Sequence, residues 1–328
     1  MKIAAVTTVL FALVALPTVV SAAGSLPLRA VARVPLSGPA VRFDYTSFDP
    51  TTNRLWIAHM DADQLLAFDV VRRRIVETVS APGVHGVIAV PQLGRVYASA
   101  TDARQVLTID ARTGAILARA PAGEYPDGLA YDPVERHVFV SDESGGVETV
   151  IDARGRRVAT IELGGEAGNV QYDSRSRRVL ADVQTRDEVA VIDPRTNRIV
   201  RRVHLTGCDG DHSLLIDSRH ALAFVGCERN ARVLSLSLRT MTVTGVYQAG
   251  DSPDVLAFDP RLRRLYVSSE SGVVGVFRET ANALRPLGLT FLAPAAHTVA
   301  VDPRTHRVYF PLERGTTGRP QLLIMRPT

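Results

Sequence analysis

EVAVIDPRTNRIVRRV, residues 188–203, decides the fold: two β-rich runs are joined by the turn Pro194-Arg195-Thr196-Asn197. Neither run has the 3.6-residue apolar stripe of a helix. The preceding residues show the complete unit. DGLAYDP (127–133), HVFVSD (137–142), VETVID (147–152) and RVATIEL (157–163) are four short strand patterns separated by turn residues such as Ala153-Arg154-Gly155. The local reading is a four-stranded antiparallel meander.

The unit recurs along the chain. An apolar stretch ending near Asp-Pro, a turn with Arg and a stretch containing an aromatic return with anchors at Asp49, Val90, Asp132, Asp173, Asp217, Asp259 and Asp302, at intervals of 41 to 44 residues. A period of this length filled with strands predicts propeller blades rather than a helical solenoid. After Asp302 only two more strands fit, at 306–312 and 320–326, so the seventh unit has three. Residues 28–36 (LRAVARVPL) supply the missing fourth. A linear array would leave both end units incomplete and their edges exposed, whereas this clasp completes both. The expected fold is all-β, a seven-bladed β-propeller of four-stranded antiparallel blades occupying residues 23–328.

The chain resembles the YVTN-type (YncE-like) seven-bladed β-propeller repeat proteins in Pro126-Asp127-Gly128-Leu129-Ala130, in HVFVSD at 137–142, and in EVAVIDPRTNRIV at 188–200 followed by Gly207. The resemblance extends over residues 23–328 and implies the fold. For function it implies an exported binding or scaffold protein, with a minority of such propellers being enzymes. Two departures stand out: Gln92-Leu93-Gly94 replaces the acidic turn in unit two, and unit five is longer.

Composition bounds the remaining choices. With 46% hydrophobic and 22% charged residues and two cysteines among 328, the chain is neither disordered nor a disulfide-built miniature. Lys2 is the only lysine beside 37 arginines, and the net charge of +4 does not by itself argue for nucleic acid. The start reads as a secretory leader: Met1-Lys2, an apolar run from Ile3 to Leu16, Pro17, then Val20-Ser21-Ala22-Ala23. Cleavage after Ala22 is expected, giving a periplasmic or secreted, monomeric protein. No cysteine near that point offers a lipid anchor, and no later stretch is long and apolar enough to span a bilayer.

No C-x-x-C, G-x-S-x-G, H-E-x-x-H, Walker or complete calcium loop is present. Chemistry must therefore be sought in residues that the repeat brings together. At the start of each unit's first strand the repeat places Asp44, His85, Asp127, Gly168, His212, Asp254 and His297. Three histidines and three aspartates in one register are not what packing selects, because aspartate is rarely buried unpaired. After each second strand stand Met60, Thr101, Glu143, Gln184, Glu228, Glu270 and Glu313. Both sets belong to the face of a propeller that carries the links between blades, here called the top.

Polar residues at strand starts also cap turns and hold channel water, so a structural role stands beside the functional one. The functional reading is a top funnel binding a small ligand, partner protein or divalent metal ion such as Zn²⁺, with His85, His212 and His297 as candidate metal ligands. The alternative is a lactonase-like or lyase-like enzyme using the same funnel, a histidine serving as base.

Cys208 and Cys227 fall on the top of unit five, and export makes a disulfide between them the expectation. A metal set with His212 is the competing reading. On the opposite face the turn windows hold 23 arginines and 12 acidic residues. That excess suits an anionic partner. The same windows contain no aromatic residue, so single-stranded nucleic acid would find no stacking platform there.

Overall fold

A computed structural model describes residues 24–328. The expected leader, residues 1–22, lies outside the described residues. The chain forms seven antiparallel four-stranded sheets arranged as a seven-bladed β-propeller. In blade three the strands are Pro126–Asp132, His137–Asp142, Val147–Asp152 and Arg157–Glu162, in that order from the axis outward. Innermost strands of successive blades touch, and that of blade seven touches that of blade one. Leu28–Pro35 pairs antiparallel with Gln321–Pro327 and becomes the outermost strand of blade seven, so the clasp closes the ring.

The anchor aspartates owe their recurrence to turn chemistry. Each ends the first strand of its blade and accepts a backbone N–H two residues on: Thr51 to Asp49 at 2.8 Å, Val134 to Asp132 at 2.8 Å, Arg261 to Asp259 at 3.0 Å and Arg304 to Asp302 at 3.0 Å are examples. The turn then closes on a left-handed residue, such as Asn53, Arg136, Arg177, Arg263 or His306. In blade two Val90 has no side-chain acceptor. There a single 3-10 turn, Pro91–Leu93, makes the connection and closes on Gly94 at φ 60°, which gives the departure at Gln92-Leu93-Gly94 its structural meaning.

Stability resides between the blades. Seven apolar clusters are found, one in each blade-to-blade interface; Trp56 is fully buried in that between blades one and two, and Tyr309 in that between blades seven and one. Cys208, in the link entering blade five, and Cys227, at the end of that blade's second strand, form a disulfide. It ties the link that leads to His212 to the blade it enters, and a bridge closing a loop of this size contributes about 3 kcal/mol.

Candidate functional site

The first strands of five blades carry a β-bulge at the residues singled out by the repeat. Register shifts fall between Val84 and Val87, Pro126 and Leu129, Ala167 and Val170, Asp211 and Ser213, and Pro253 and Leu256. They enclose His85, Asp127, Gly168, His212 and Asp254. An extra residue at a strand end re-aims its side chain. Here it turns the side chains of His85, Asp127, His212 and Asp254 into the axial funnel at the upper mouth. In blade one Asp44 precedes the first strand, its N–H bonded to the carbonyl of Ala58 at 2.9 Å. Gly168 carries no side chain for a packing reason: a Cβ there would lie 2.7 Å from the carbonyl oxygen of Asp211 and 2.8 Å from that of His212.

The links themselves are pinned. Asp63 accepts the N–H of Gly83 at 2.8 Å, fixing the approach to His85, and Asp187 accepts that of Gly210 at 2.8 Å, fixing the approach to His212. Asp142 accepts the N–H groups of Glu124 and Tyr125 at 2.5 and 2.7 Å.

These elements enclose a funnel of about 160 Å³ lined by Asp44, His85, Asp127, Glu143, His212, Glu228, Asp254 and Glu270, with Arg42, Tyr45, Ser252 and Pro253. Tyr45 forms part of its floor: its hydroxyl accepts a hydrogen bond from Asn169 across the channel at 2.6 Å, and its ring also borders a second cavity of about 170 Å³.

The charges fall into two groups. Asp254 is saturated with cations: His297 Nδ1 lies 2.6 Å from Oδ2, His212 Nε2 lies 3.4 Å from Oδ1, and Arg42 lies 3.8 Å away while also bonding Glu270 at 2.5 Å. Burial opposes ionisation of Asp254, but the bonds to His212 and His297 outweigh it and hold the carboxyl well below its usual range. Burial likewise opposes the His212 imidazolium, yet Asp254 raises its pKa to about 10, and His297 is raised for the same reason. Asp44 and Asp127 feel the same positive groups only at longer range, and burial dominates at both. Burial, then repulsion from Asp254, pushes Asp44 up to about 6; burial, then repulsion from Asp44, pushes Asp127 up to about 7. Oδ1 of Asp127 is buried with no hydrogen-bond partner.

The three histidines do not assemble into one metal set. His85 turns away from the other two: Nδ1 donates to the carbonyl of Gly83 at 2.7 Å and Nε2 lies 2.8 Å from the hydroxyl of Tyr125. His212 and His297 both face Asp254, which favours the protonated form of each ring and so opposes a metal on those nitrogens. His297 is fully buried behind the funnel wall. Asp44, Asp254 and His297 do bring one donor atom each within 4.8 Å of one another. Arg42, however, already supplies positive charge at that spot. Cys208 is consumed in the disulfide, so it forms no metal set with His212.

Of the glutamates placed by the second register, Glu143, Glu228 and Glu270 line the funnel and Glu313 does not. Thr101 and Gln184, at equivalent positions, bond the carbonyls of Pro126 and Ala167 at 2.6 and 2.9 Å. Sequence reasoning passed over Arg42 and Tyr125. Both stand two residues before a ring position, Asp44 and Asp127, so the same register contained the signal.

Fold and mouth together define a seven-bladed β-propeller with an acidic, enclosed axial funnel. No protein-family model and no curated protein matches the chain. Among solved structures it is similar to the hydrazine synthase of Kuenenia stuttgartiensis, with 13% identity and a TM-score of 0.73 over 87% of this chain and 95% of that one. It is also similar to the WD40 repeats of RRP9, with 12% identity and a TM-score of 0.77 over 92% of this chain and 100% of that one. Likeness at such identity establishes the propeller fold.

Proposed function

We propose that this is an exported binding propeller of the YVTN type whose upper funnel takes a small cation, either an organic ammonium or a divalent ion. The observation that carries the reading is the buried pair Asp44 and Asp127: burial outweighs the more distant positive charges of Arg42 and the histidines and raises both carboxyls, and Oδ1 of Asp127 is left unpartnered. A buried carboxylate without a cation costs free energy, and a ligand that brings one recovers it. Glu143 and Glu228 add acceptors at the rim. The hydrolytic alternative draws less support. Asp254 holds His212 as imidazolium, His297 is buried behind the funnel wall on the same carboxylate, and Nε2 of His85 is engaged by Tyr125, so no ring in the funnel stands free as a base.

Asp44 and Asp127 must ionise to hold the cation, so affinity should rise with pH through 6 to 7 and level off above it. Calorimetry with Zn²⁺, Mg²⁺, Ca²⁺ and a series of small alkylamines tests this, with Asp127→Asn as the variant expected to abolish binding and its pH dependence. Binding of equal strength to Asp127→Asn would contradict the assignment.

Export is supported by the composition of residues 1–22 and by the disulfide, a bond that oxidising compartments preserve. Sequencing the N-terminus of protein recovered from the cell envelope should read from Ala23. An intact Met1 there would contradict export by cleavage.

A further inference from the structure

The face opposite the funnel carries a charge pattern that the fold does not require. Its turns join first to second and third to fourth strands, and their windows contain 23 arginines and 12 acidic residues. Every one of those arginines is exposed or half-exposed, whereas no acidic residue in the same windows is exposed and nine are buried. The cause is the turn chemistry. Asp49, Asp69, Asp132, Asp173, Asp193, Asp217, Asp259 and Asp302 fold back to accept backbone N–H or side-chain donors of their own turns and are covered by them. Seven of the arginines (Arg72, Arg95, Arg156, Arg178, Arg195, Arg263 and Arg304) lie within 4.0 Å of acidic residues of these windows. Part of the charge is therefore compensated locally, and what the face presents is the excess of the 23 arginines over the 12 acidic residues.

Two further observations specify the partner. The first is backbone cost. Arg73, Arg136, Arg177 and Arg263 occupy left-handed positions at φ 53° to 59°, where Asn53, Asn197, Gly94 and Gly155 stand in equivalent turns. A long L side chain is disfavoured there by about 1 kcal/mol, so arginine is not the residue that the backbone selects. The second is shape. All seven first-to-second-strand turns place four residues between strand ends, as do five of the six third-to-fourth-strand turns, and Asp110 to Ile116 adds one. No loop projects, so the face is level. Val71 and Val134 stand 71% and 53% exposed on it beside Arg72 and Arg136.

From these we infer that the lower face docks on the surface of an anionic phospholipid bilayer, the partner that is at once planar, negatively charged and receptive to isolated apolar tips. Guanidinium groups pair with lipid phosphates, and each basic side chain near such a surface adds a roughly equal increment of affinity. The funnel then opens away from the membrane. This docking does not depend on what the funnel binds.

The test uses the triple variant Arg73→Asn, Arg136→Asn, Arg177→Asn, which removes charge while placing at each left-handed position a residue that accepts it, so folding is not endangered. Co-sedimentation with vesicles of phosphatidylcholine mixed with phosphatidylglycerol should capture the parent at low ionic strength, weaken as salt is added, and fall on the order of a hundredfold for the variant. Pure phosphatidylcholine vesicles should capture neither. Equal binding to both vesicle types, equal binding of parent and variant, or capture by duplex DNA or polyglutamate without capture by the anionic vesicles would each overturn the inference.

Discussion

Deleting residues 24–36 should convert a monodisperse protein into one that aggregates and unfolds at markedly lower temperature. The strand Leu28–Pro35 covers the hydrogen-bonding edge of Gln321–Pro327, and Leu28 and Leu36, both buried, pack into the interfaces on either side of blade seven. Losing those two side chains alone costs about 3 to 6 kcal/mol, a large part of the margin that keeps a domain folded. The bared edge is in addition a template for pairing with another chain. Light scattering and thermal unfolding of parent and truncated protein measure both effects. A truncated protein as monodisperse and heat-stable as the parent would contradict closure by the clasp.

Asp254→Asn should produce the second large effect, a loss of about 3 to 5 kcal/mol. The carboxylate is the common partner of His212, His297 and Arg42, so an amide in its place leaves the His212 imidazolium and Arg42 beside a neutral group and weakens the acceptor of His297. The pH dependence distinguishes this from simple repacking. The His212 pKa is raised in the folded protein, so its contribution is fully present below about 6.5 and is lost as pH rises toward 10. The Asp254 pKa is depressed, so its contribution is present above about 4 and is lost as pH falls below that. Raised carboxyls such as Asp127 and Glu148 give both proteins a decline up to about pH 8, so the distinguishing window is pH 8 to 10, where chemical denaturation should show a further decline in the parent and a much smaller one in Asp254→Asn. The same alkaline slope in both proteins would contradict the charge assignment.

Much of this was legible in the sequence because repetition is a one-dimensional signal. The aspartate that ends each first strand caps its own turn, a local act, so its spacing reports blade length directly. The clasp was equally legible: the last unit lacks one strand and LRAVARVPL at 28–36 has nothing else to pair with. Orientation was not. Whether His85, Asp127, His212 and Asp254 face the axis depends on one-residue bulges in their inner strands, and a bulge leaves no mark on the apolar pattern. The split between Asp254, ringed by cations, and Asp44 with Asp127, which feel them only at longer range, depends on distances across the channel between blades far apart in the chain. For the same reason three histidines in one register suggested a metal set, although His85 turns to Gly83 and Tyr125. On the lower face the arginine excess could be counted in advance, but the burial of its aspartates is a property of folded turns.

The measurement that tests the account of the funnel most directly is proton release on ligand binding, obtained by titrating the cation that binds in buffers of different ionisation enthalpy near pH 6.5. With Asp44 at about 6 and Asp127 at about 7, the two carboxyls together hold about one proton at that pH. A cation seated between them should expel it, and Asp127→Asn should abolish the release. Binding that leaves the proton count unchanged in the parent protein would contradict a cation held by these two carboxylates.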